Sequence, residues 1–185
     1  LSDGVITFTC DKCGDSYEEA IPATKIVKIL AIGNSFSVDA MAYLWKICDS
    51  AGYGEVVLGN LFIGGCTLER HVNNARNDAP AYRYRKIDAD GNLQQINDYS
   101  LSLALRNDDW DYVTVQQASP VSGKPEAYEP WLDELVAYVE SFVPDAEIVF
   151  HMTWAYDQGY DHKKFATCGY DQLTMYHAII STVRQ

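Results

Sequence analysis

Three short segments carry residue types able to do acyl chemistry: Gly33-Asn34-Ser35-Phe36-Ser37, Ile63-Gly64-Gly65-Cys66-Thr67 and Val115-Gln116-Gln117-Ala118-Ser119. A Ser on a tight turn between a buried strand and a helix has its hydroxyl exposed, beside the helix dipole and free backbone N–H groups. Such a Ser can act as a nucleophile, and the N–H groups can hold an oxyanion. Asn-Ser-Phe-Ser is also an ordinary N-cap. Paired glycines let a backbone N–H approach a ligand closely, or simply make a turn. Paired Gln at a strand end can offer an amide donor, or bond their own neighbours. If the three segments leave successive parallel strands at one edge, nucleophile and donors converge, as acyl transfer requires.

The elements that must position them follow from periodicity. Ile26 to Ile32 is nearly continuously apolar, as a strand buried on both faces requires. Val38 to Ala51 reads as a helix, with Met41, Leu44, Trp45 and Cys48 at i, i+3, i+4 and i+7. Strands are expected at Glu55 to Phe62, Asp111 to Gln117 and Ala146 to Met152. Helices are expected at Thr67 to Arg76, Asp98 to Arg106, Glu126 to Val143 and Asp171 to Val183. Tyr82 to Ile96 reads as a hairpin around Asp90-Gly91. Strands alternating with helices predict a three-layer α/β/α sandwich with a flavodoxin-like parallel sheet. Ligands in such folds bind at the carboxyl ends of the strands.

The chain has 185 residues, enough for one domain, and 48% of them are hydrophobic. Its 26 acidic and 14 basic residues give a net charge of −12, which repels phosphate backbones and argues against nucleic-acid partners. No apolar run reaches the roughly 20 residues that span a bilayer, so no membrane insertion is expected. Thirteen Tyr and four Trp suit carbohydrate-facing surfaces, although half-buried Tyr is the commoner use.

Residues 1–24 read as a separate short β-ribbon or linker, with strands in 4–9 and 16–21 around Cys10-x-x-Cys13; residues 25–185 form the α/β domain. The cysteines are Cys10, Cys13, Cys48, Cys66 and Cys168, an odd number that precludes a complete disulfide framework. Nothing completes a tetrahedral zinc site with Cys10 and Cys13, so a local disulfide or free thiols are expected and no metal. Cys48 reads as a buried apolar residue.

In its motifs and their order the chain resembles the SGNH/GDSL hydrolase superfamily, in an uncharacterised bacterial branch. Ile29 to Ser37 is similar to the first block, with Asn34 where an Asp is usual; Asn60 to Thr67 is similar to the second; Tyr112 to Ser119 to the third; and Phe150 to Tyr156 to a fourth-strand segment. The resemblance covers about 25–185. It implies Ser35 as nucleophile, Gly65 as an oxyanion N–H and Gln117 as the oxyanion side chain. Asn34, Gln116, His151 and Trp154 are placed as substrate-binding residues, and no cofactor is implied.

The family takes its base from an Asp-x-x-His block after a fifth strand, and none stands before Gln185. The sequence therefore reads as a fragment, incomplete at the C-terminal end of the fold, with the fourth-strand edge open to self-association. His71 is expected at the surface, His151 at a strand end lining the cleft, His162 in a loop and His177 packed on the last helix; none is assigned as base. The resulting expectation is a serine esterase removing acyl groups, acetyl foremost, from a small-molecule or glycan ester. Trp131, Trp154, Tyr156 and Tyr160 are its aromatic loop residues. A catalytically silent glycan-binding module of a surface protein is the alternative. A nucleotide- or flavin-binding domain is a weaker third, disfavoured by the charge. The ribbon and the family imply an extracellular or cell-surface location.

Overall fold

The computed structural model describes residues 4–9, 12–21, 26–53, 55–160, 165, 169 and 171–185. The ribbon forms as an antiparallel pair, β1 (Gly4–Thr9) with β2 (Ser16–Ile21), in which Phe8 stacks on Tyr17. Cys13 is exposed and its thiol points to Asp15; Cys10 and Cys168 lie outside the described residues, and their pairing with them.

The remaining strands make one six-stranded sheet. They are β3 (Val27–Gly33), β4 (Val56–Phe62), β5 (Tyr82–Ile87), β6 (Leu93–Tyr99), β7 (Tyr112–Val115) and β8 (Glu147–Phe150), in the order β6-β5-β4-β3-β7-β8. Four strands, β4-β3-β7-β8, are parallel. The Asp90-Gly91 hairpin forms as the sequence suggests, but β5 adds antiparallel to β4, so the sheet is mixed. Local turn chemistry specifies a hairpin; only strand pairing decides which edge it joins.

Helices cover both faces. α1 (Ser35–Met41) and α2 (Leu44–Ser50) lie on one; α3 (Leu68–Arg76), α4 (Leu101–Leu105) and α5 (Trp131–Glu140) lie on the other. Alternation along β3 explains the division: Leu30 and Ile32 enter the core beneath α3–α5, whereas Ile29 and Ala31 face α1 and α2. α6 (Gln172–Val183) packs Met175 and Ile179 on Phe165. Among the described residues no helix is long and apolar enough to cross a membrane.

Three helices differ from their expected bounds by more than one residue. The helix expected over Val38 to Ala51 starts earlier and breaks at Ala42-Tyr43 into α1 and α2. Its apolar stripe survives the break, since Met41, Leu44, Trp45 and Cys48 all meet the smaller core, with Cys48 half-buried rather than buried. The helix expected from Asp98 starts only at Leu101. β6 runs on to Tyr99, Asp98 takes a left-handed φ of 54°, and the Ser100 hydroxyl caps the Leu103 N–H. The helix expected from Glu126 starts at Trp131, because Pro125 and Pro130 divide the approach into a short 3-10 turn and a cap.

Candidate active site

The loops after β3, β4 and β7 leave parallel strands at their carboxyl ends. Ser35 is the first residue of α1 and is exposed. Among the described residues neither its N–H nor that of Gly65 has a protein acceptor. Gly65 sits at φ 61°, where a side chain would be strained, and a Cβ there would meet only open space. The site thus presents a hydroxyl at a helix N-terminus and a free loop N–H from the neighbouring strand.

What ties these loops together is Asn34. Its side-chain oxygen accepts from the Phe36 N–H (3.2 Å) and from Gln116 Nε2 (3.0 Å), and its Nδ2 donates to the Cys66 carbonyl (3.1 Å). One buried amide therefore links the Ser35 loop to the Gly65 loop and to the end of β7. Asn34 and Gln116 are each 1% exposed, so in this geometry they set the position of Ser35 from beneath rather than face a ligand. Gly33 is required for this packing, because a Cβ there would fall 2.1 Å from Gln116 Oε1. Asn34 is thus the N-cap of α1, as the sequence allows, and at the same time the tie between the three loops.

Gln117 is also 1% exposed. Its Oε1 accepts from the N–H groups of Leu68 (3.1 Å) and Ala118 (2.8 Å), and its Nε2 donates to the Ala127 carbonyl (2.8 Å). One amide hydrogen is left. The side chain serves first as a clamp between the start of α3, the β7 loop and the 3-10 turn at Pro125–Ala127.

Trp154 follows β8 and stands half-exposed beside the loop, its ring 4.1 Å from that of Phe36. Phe36 is not among the site residues that the sequence suggests. Its position directly after Ser35 is the signal that the sequence offers for it. The other aromatic residues disperse. Trp131 lies on α5 under the guanidinium of Arg76, 5.7 Å away, on the α3–α5 side. Tyr156 pairs with Tyr160 (5.0 Å) and shares a 2.7 Å hydroxyl contact with Ser119.

The histidines need two corrections. His71 is not at the surface. It is 0% exposed on the inner face of α3, stacked on Tyr82 with Nδ1 3.0 Å from the Tyr82 hydroxyl. Burial pushes its pKa down to about 3, with the Arg70 charge adding to the shift, so it is neutral at physiological pH. His177 is not packed inward; it is exposed on α6 against Tyr176. His151 follows β8, donates its N–H to the Val115 carbonyl (2.8 Å), and lines a groove with Ser37, Met41 and Met152. Burial lowers its pKa. His162 lies outside the described residues. Among the described residues no histidine hydrogen-bonds Ser35.

Comparison with known proteins gives the same fold. The family model DUF4886, a domain of unknown function, matches residues 28–185. A DUF4886 family protein from Bacteroides uniformis superposes with a TM-score of 0.83 at 42% identity, covering 86% of this chain and 62% of that one. The chain thus spans under two thirds of that relative's length. A protein from Slackia heliotrinireducens described as "a putative SGNH hydrolase" superposes with a TM-score of 0.54 at 23% identity, covering 87% of this chain and 73% of that one. Its likeness shows the shared α/β fold. Among curated proteins none matches the chain.

Proposed function

This chain belongs to the DUF4886 family, and from that premise and the geometry of the site we propose that it is a serine esterase of the SGNH type, removing acyl groups, acetyl foremost, from carbohydrate. The observation that carries the reading is the exposed Ser35 at the start of α1, with its own N–H and that of Gly65 lacking protein acceptors among the described residues, on loops that Asn34 locks together.

In the proposed reaction Ser35 Oγ attacks the ester carbonyl and its proton passes to a histidine from outside the described residues. The carbonyl oxygen becomes an oxyanion held by the N–H groups of Ser35 and Gly65. Collapse breaks the ester bond, and the sugar hydroxyl leaves with that proton. Water then repeats the steps on the acyl-Ser35 ester and releases the carboxylate. Gln117 supports the oxyanion pocket by holding Leu68 and Ala118 in place. The residues invoked need no metal or cofactor for these steps.

The test is labelling with a fluorophosphonate followed by peptide mapping, beside acetyl-ester hydrolysis by Ser35→Ala. Label on Ser35 is expected, with at least a ~10³-fold loss of hydrolysis in the variant and an unchanged melting temperature. Hydrolysis that survives the substitution overturns the reading. The absence of a histidine on Ser35 among the described residues favours a second one, a silent glycan-binding module. That reading predicts no label, with sugar affinity intact in Ser35→Ala.

A further inference from the structure

Next to the candidate site lies a surface that the reaction does not use. Trp154, Ala155, Gln172, Leu173 and Tyr176 line a shallow concavity of about 380 Å³ between the segment after β8 and the first turns of α6. That is within the usual size of a small-ligand site. Trp154 is 50% exposed and Tyr176 48%, so each offers a ring to solvent instead of to the core. Leu173 is exposed on the same concavity. The base of the shelf is held firmly: Asp171 Oδ1 accepts from the Thr174 N–H (2.6 Å), and Gln158 Oε1 accepts from the Gln172 N–H (2.9 Å). The shelf is continuous with the site, because Trp154 rests on Phe36, the neighbour of Ser35.

We propose that Trp154, Leu173 and Tyr176 form a sugar-binding subsite that holds the glycan portion of the substrate while its ester reaches Ser35. A pyranose ring has an apolar C–H face and a rim of hydroxyls. Exposed aromatic faces match the first, and the Gln172 amide and Tyr176 hydroxyl match the second. The net charge of −12 disfavours anionic ligands such as phosphates and leaves a neutral ring as the fitting occupant. The inference rests on the esterase reading for its direction towards Ser35, but sugar binding can be measured without any reaction.

The experiment uses the Ser35→Ala protein, so that no ligand is consumed. Xylotetraose, mannotetraose and chitotetraose are titrated while protection of tryptophan fluorescence from acrylamide is followed. Trp110 is buried and Trp45 and Trp131 are partly so, which makes Trp154 the dominant exposed reporter. At least one sugar is expected to protect, with a Kd on the order of millimolar or tighter. Adding Tyr176→Ala weakens that binding ~10-fold or more, whereas Tyr53→Ala, an exposed change elsewhere, leaves it unaltered. Absence of binding by all three sugars overturns the proposal, and so does binding that Tyr176→Ala leaves intact. Wild-type turnover of 4-nitrophenyl acetate is measured in parallel. Sugar binding lost in Tyr176→Ala without any such turnover keeps the subsite and sinks the esterase reading. Turnover without sugar binding does the reverse.

Discussion

The two faces of the sheet are built differently. Beneath α3, α4 and α5 the apolar residues are sealed: Leu30, Ile32, Leu61, Leu68, Leu101, Val113, Leu135 and Val139 are all essentially inaccessible. Beneath α1 and α2 the core is small, with Ala31, Met41, Val56 and Leu58 at its centre. Those two helices cover β3 and β4 but leave β7 and β8 open, over a groove of about 540 Å³ lined by Tyr112, Thr114, Val149 and His151 among others. The sealed face therefore supplies most of the cohesion. The loops that carry Ser35, Gly65 and Trp154 stand at the carboxyl end of the sheet, held by hydrogen bonds and ring contacts more than by a sealed apolar core.

The comparison can be broken by trading the same chemistry between faces. On the sealed side, Leu135→Ala leaves a cavity with nothing to fill it and is expected to cost about 2–5 kcal/mol in urea unfolding. Met41→Ala removes a similar volume beside the open groove, where neighbours can relax, and is expected at or below the ~2 kcal/mol low end of that range. Equal losses would mean that the two faces are equally cohesive.

A pH series sharpens the same contrast. His71 is buried neutral with a folded pKa of about 3, while in the unfolded chain a His titrates near ~6.5. Between those values the unfolded state binds the proton and the folded state does not. Stability on this account is full above about pH 6.5 and falls as pH drops towards 3, by roughly 1.4 kcal/mol per pH unit where the difference is complete. The slope of denaturant-derived stability between pH 4 and 6 should be reduced in His71→Phe by about that amount. An unchanged slope would show that His71 does not titrate on unfolding. The smallest effect is expected on the open face, where Val149→Thr, at a 39% exposed edge position, should stay within about ±0.5 kcal/mol.

Local pattern made much of this legible. The apolar run through β3, the i, i+3, i+4, i+7 stripe of Met41, Leu44, Trp45 and Cys48, and the Asp90-Gly91 turn are written in neighbours a few residues apart. Other features depend on residues far apart in the chain. His71 reads in the sequence as a surface residue on a polar helix, and only its placement over Tyr82 buries it. Gln116 and Gln117 are adjacent and chemically identical, yet one reaches back to Asn34 and the other holds the start of α3 and the Ala127 carbonyl.

The sequence by itself determined the strand–helix alternation, the three loops and the Ser at the head of α1, because periodicity and capping are short-range properties of the chain. Tertiary structure decided which edge the hairpin joins, which Gln supports the Ser35 loop, and that Trp154 and Tyr176 share one shelf. Those outcomes depend on pairing and burial between segments tens of residues apart, and no local pattern encodes them.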